Sequence, residues 1–130
     1  MIEENAKVPD SGEYVATVLR LYVQLPETPS RARSYDRERA DELHQRRVPL
    51  NIVESALLLG SLRRLGRPPE SPRLSPIRSL AYFIPVIEEL TANPFPDGYL
   101  EYLRYKMRKL GAQNVKLPRT GIGSEKSGSS

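Results

Sequence analysis

Proline decides how long a regular element in this chain can run. Twelve prolines interrupt 130 residues, and because proline fixes φ and removes an amide donor, each one tends to open a helix or to end one. Pro26 and Pro29, Pro49, the run Pro68, Pro69, Pro72 and Pro76, and the pair Pro94 and Pro96 leave five segments of helical length. In each of them apolar residues recur at three- and four-residue spacing, and no stretch alternates apolar with polar long enough to argue for a strand. The pattern predicts an all-α fold: a single compact bundle of about five helices.

The segments can be bounded from their caps and stops. Residues 12–25 carry Val15, Val18, Leu19, Tyr22 and Leu25 behind a possible Asp10 or Ser11 cap, with Pro26 as the stop. Residues 34–47 form a polar helix. Its narrow apolar side is Ala40, Leu43 and His44, and the charges from Asp36 to Glu42 are expected to be solvated. Residues 49–65 are apolar nearly all round, which predicts the central helix. Ser75-Pro76 opens a fourth segment running to Thr91, with Ile77, Leu80, Ile84 and Ile87 in its stripe; Pro85 inside it should kink or split the helix. Asp97 caps a fifth helix with Leu100, Leu103, Met107 and Leu110 in its stripe, and Gly111 should end it. The expected organisation is therefore a flexible acidic N-terminus (1–11), a helical domain (12–111) and a Gly- and Ser-rich disordered tail (112–130).

Composition removes most kinds of chemistry. With no cysteine and one histidine, His44, the chain offers no thiolate chemistry and no histidine pair for a metal. Its eight glycines are scattered and form no phosphate loop. His44, beside an apolar face, reads as a packing residue, and Glu88 and Glu89 read as surface acids. We expect no catalytic residue, no metal and no cofactor. The acidic start lacks an apolar run and the longest apolar stretch is Ala56-Leu57-Leu58-Leu59, so a cytoplasmic protein without membrane association is expected.

Charge points to a polyanion. The net charge is +4, and 15 of the 20 basic residues are arginine, whose planar fork suits phosphate and base edges. Residues 98–119 hold Arg104, Lys106, Arg108, Lys109, Lys116 and Arg119 against Glu101 alone. Tyr99, Tyr102 and Tyr105 interleave with these bases at helical spacing. Tyrosine can stack on an unpaired base while the cations meet phosphate. The same rings would equally serve to widen the core face of the helix, with the bases giving solubility. The candidate nucleic-acid-binding residues are Arg104, Lys106, Arg108, Lys109, Tyr102, Tyr105, Lys116 and Arg119, with DNA favoured over RNA. Arg37 and Arg39 are expected to be neutralised by Asp36, Glu38 and Asp41. Residues 36–59 have the outline of a helix-turn-helix, but their second helix is too apolar to face a major groove.

Leu50-Asn51-Ile52-Val53-Glu54-Ser55-Ala56-Leu57 is followed, across the proline-rich loop, by Ser79-Leu80-Ala81-Tyr82-Phe83-Ile84-Pro85-Val86-Ile87. This order resembles the C-terminal helical domain of DnaD-type replication proteins, in which an acid-flanked apolar helix precedes a helix centred on a tyrosine followed by paired aliphatics. The tryptophan that family often carries after that pair is absent here, and Pro85 interrupts the helix. The resemblance implies DNA binding in replication. The arginine-rich, proline-punctuated style is also similar to that of small accessory proteins of mobile elements. The resulting expectation is a nucleic-acid-binding accessory protein acting mainly through phosphate contacts, possessing no enzymatic activity. The alternative is a helical module that docks another protein.

Overall fold

The computed structural model describes residues 10–93 and 95–114; the expectations for residues 1–9 and for the tail from 115 onward lie outside that range. Within the described residues five α-helices form: α1 (Ser11–Val23), α2 (Ser34–Gln45), α3 (Leu50–Leu65), α4 (Ile84–Ala92) and α5 (Tyr99–Asn114), with a short 3₁₀ turn at Leu80–Phe83. Among the described residues there is no strand, and no helix is long and apolar enough to cross a membrane.

α1 begins where Asp10 accepts the Glu13 amide at 3.0 Å, so the aspartate is the cap and Ser11 is the first helical residue. It stops at Val23, short of the expected Leu25, because a residue preceding proline is pushed out of helical geometry. α2 closes earlier than expected as well. Arg47 adopts φ 60°, the Val48 amide reaches back to the Leu43 carbonyl (3.1 Å), and the Arg47 amide to the His44 carbonyl (2.9 Å). This left-handed C-terminal closure aligns two buried apolar residues, Leu43 and Val48. Pro49 then caps α3.

α3 is central, packing against α1, α4, α5 and the 3₁₀ turn, but not through the residues that its leucines suggest. Val53, Ala56 and Leu57 are buried together with Ser55, Gly60, Ser61 and Arg64, while Leu58, Leu59 and Leu62 are only half covered. Small side chains let neighbouring elements come close: a Cβ on Gly60 would lie 2.8 Å and 2.9 Å from two Phe83 ring carbons. The core is completed by Tyr14, Val18, Tyr22, Ala40, Leu43, Leu80, Phe83 and Ile87. Tyr14 donates its hydroxyl to the Val48 carbonyl at 2.7 Å and meets His44 edge-on at 5.1 Å, which places His44 as a packing residue.

The fourth segment departs most from expectation. Residues 72–79 are not helical. Tertiary bonds hold them: the Ile77 amide donates to the Glu27 carbonyl at 3.0 Å, and Arg64 donates to the Ser75 carbonyl. The helix starts only after the 3₁₀ turn, so Pro85 falls in the first turn of α4, where its missing amide costs little. The anticipated split is therefore real, but Ile84 is half-buried while Ile87 enters the core. Asp36, expected on a solvated face, is wholly buried. Its two carboxylate oxygens accept the Leu80 amide at 2.8 Å and the Arg33 amide at 2.9 Å, so one side chain caps α2 and ties it to the 3₁₀ turn. Finally, Gly111 does not end α5, whose backbone remains helical to Asn114; a helical glycine costs only about 1 kcal/mol relative to alanine.

Candidate nucleic-acid interface

α5 starts from a turn that needs glycine. Gly98 has φ 87°, a conformation that side-chain-bearing residues rarely adopt, and its carbonyl accepts the first helical bond from the Tyr102 amide at 3.0 Å. One face of α5 then seats on α3. Leu103 is buried and Leu100, Met107 and Leu110 are half-buried. Beside them Arg104 grips Glu54 of α3 through two bonds, at 3.0 Å and 2.9 Å. Those bonds hold the guanidinium above the ordinary arginine pKa range.

The opposite face is aromatic and cationic. Tyr102 is 52 % exposed and Tyr105 48 % exposed, so these two rings do not widen the core, whereas Tyr99 is half-buried. Lys106 lies over the Tyr102 ring and Lys109 over the Tyr105 ring, each 5.9 Å from the centroid. The Tyr102 ring is also nearly parallel to that of Tyr99, at 25° and 6.3 Å between centroids, and Tyr99 leans on Phe95 at 5.0 Å. Phe95 and Tyr99 are half-buried, so this aromatic run is anchored at one end and solvated at the other. Lys106, Arg108 and Lys109 are exposed and form no ion pair with a carboxylate among the described residues.

The chain matches no protein-family model, no curated protein and no solved structure.

Of the predicted site residues, Tyr102, Tyr105, Lys106 and Lys109 share this face and Arg108 lies on the same exposed helix. Arg104 belongs instead to the seat on α3. Lys116 and Arg119 lie outside the described residues. Glu54, the partner of Arg104, is not singled out by the sequence as a site residue, and its one signal is being the sole acid in α3. Several other basic residues are already engaged. Arg46 pairs with Glu88, Arg39 with Glu42, and Arg63 with Glu89 at 2.7 Å, which holds the Glu89 carboxyl below its ordinary range. A cleft of about 560 Å³ beside the 66–76 loop has Arg64, Arg67 and Arg73 in its wall. Arg64 is taken up by Glu27 at 2.6 Å and Arg67 by the Pro72 carbonyl at 2.7 Å. Arg37 differs from expectation: Asp36 is buried in backbone bonds, and among the described residues Arg37 forms no ion pair with Asp36, Glu38 or Asp41.

Proposed function

We propose that this protein binds nucleic acid as a non-enzymatic accessory factor, with phosphate contacts from the exposed face of α5 supplying most of the affinity. The observation that carries this reading is the coexistence on α5 of Lys106, Arg108 and Lys109, exposed and without carboxylate partners among the described residues, with two half-exposed tyrosines. A cationic helix face that is not engaged internally lowers its electrostatic energy by meeting a polyanion and releasing that polyanion's counterions. The resemblance to DnaD-type proteins and the mobile-element style of the sequence set the biological context: DNA transactions in replication or element maintenance.

The test is a salt series of equilibrium binding to DNA, comparing wild type with the triple variant Lys106→Gln, Arg108→Gln, Lys109→Gln. Each lost contact should reduce the slope of log affinity against log salt by about 0.9 on duplex and about 0.7 on single strands. The loss should be similar for unrelated base sequences. A wild type that retains no nucleic acid at low salt would overturn the reading and make the tyrosine-rich face a docking surface for an acidic protein.

A further inference from the structure

We infer that the α5 face selects unpaired strands, DNA or RNA, by stacking bases on Tyr102 and Tyr105; this inference rests on the nucleic-acid reading above and adds the class of nucleic acid to it. Three observations carry it. The first is exposure: both rings stand about half in solvent on a convex helix surface, the arrangement in which an aromatic face can receive a flat partner. A duplex hides its base faces between neighbouring base pairs, so such rings gain nothing from it unless a base is first extruded. Only an unpaired base can lie on them.

The second is spacing. Residues three apart on a helix are displaced by about 4.5 Å along its axis, somewhat more than the 3.4 Å or so per nucleotide of a duplex strand. Successive rings at Tyr102 and Tyr105 therefore suit neighbouring nucleotides of a strand opened slightly from its stacked form. The Tyr99 ring, nearly parallel to Tyr102 and backed by Phe95, holds the first platform in orientation before any ligand arrives.

The third is the position of the cations. Each exposed ring has one lysine ammonium 5.9 Å from its centroid, at the outer limit of a cation–π contact. A base that takes the ring face displaces the ammonium by a few ångströms, toward where the phosphates flanking that base would run. Ring and lysine thus act as a unit for one nucleotide, and the unit is repeated one helical turn further along: Tyr102 with Lys106, then Tyr105 with Lys109.

The experiment compares the full chain with Tyr102→Leu and Tyr105→Leu on labelled oligothymidylate, its RNA counterpart and a duplex of equal length. Helical circular dichroism of each variant checks folding. Because the chain has no tryptophan, tyrosine fluorescence is a second readout, and it should be quenched by the single strand and spared by the duplex. Each substitution is expected to weaken single-strand binding roughly 5- to 150-fold and to weaken duplex binding far less. Equal affinity of wild type for both forms, or variants that bind single strands as wild type does, would overturn the strand selectivity while leaving phosphate binding standing. Absence of binding to any of the three would overturn both. Comparison of oligothymidylate with its RNA counterpart shows which strand is preferred.

Discussion

Two buried tyrosines show how much one hydroxyl can decide. Tyr14 and Tyr22 are both fully buried, yet Tyr14 donates to the Val48 carbonyl while the Tyr22 hydroxyl has no partner among the described residues. Tyr14→Phe leaves that carbonyl unpaired and should cost about 1–2 kcal/mol, whereas Tyr22→Phe should be neutral or slightly stabilising in urea melts. Burial also raises both phenols: Tyr14 from 10.0 to about 12 against a small opposing effect of Arg46, and Tyr22 further still, with Asp36 and Tyr35 adding to burial. The unfolded chain therefore releases these protons first. Their stabilising contribution is complete below about pH 10 and falls as pH rises through the folded values, by about 1.4 kcal/mol per pH unit for each group. Tyr14→Phe should flatten that alkaline decline, and a decline of equal steepness in the variant would contradict the assignment. Glycine gives a matched pair at the same scale. Gly60→Ala drives a Cβ to 2.8 Å from the Phe83 ring and should destabilise by about 1–3 kcal/mol. Gly111→Ala meets nothing within 4 Å and should stabilise by up to about 1 kcal/mol.

At the scale of elements, α5 is the helix held most lightly. Among its described side chains it fully buries Leu103 alone and adds the Arg104–Glu54 grip, while α1 and α3 each bury several. Amide exchange in α5 should therefore be faster than in α1 or α3. A double-mutant cycle on Glu54→Gln and Arg104→Gln should give a coupling of about 0.5–1 kcal/mol, in keeping with a largely exposed bidentate pair. Exchange in α5 as slow as in α3 would show that its seat is stronger than its burial suggests. The number of helices could be read from proline and apolar spacing, and their stops to within about a turn, because both act within a few residues. The start of the fourth helix could not. Ser75-Pro76 is a sound local signal, and it is overridden by the Glu27 carbonyl and by Arg64, which are distant in sequence. The same holds for Asp36, whose backbone partner Leu80 lies 44 residues away, and for Arg104, whose carboxylate lies 50 residues away. The tyrosine and lysine stripe was visible because it is a property of one helix; which side of that helix the rings would take was decided by packing.

Across the whole molecule, charge is distributed by what has already been neutralised. Arg39, Arg46, Arg63, Arg64 and Arg104 face carboxylates, so the positive field is concentrated on residues without such partners. Of these, Lys106 and Lys109 lie over the exposed rings of Tyr102 and Tyr105, and Arg108 shares their helix. α3 packs against both α1 and α5, whereas α2 packs on α1 and the 3₁₀ turn, so Tyr35 and Arg37 of α2 belong to a different part of the surface from the α5 face. That separation makes the central claim open to direct mapping. Backbone amide shifts of isotope-labelled protein, followed while oligothymidylate is added at low salt, should move most for residues 99–111 and little for residues 34–45. Shifts centred on α2, or spread evenly over the exposed arginines, would contradict the α5 interface.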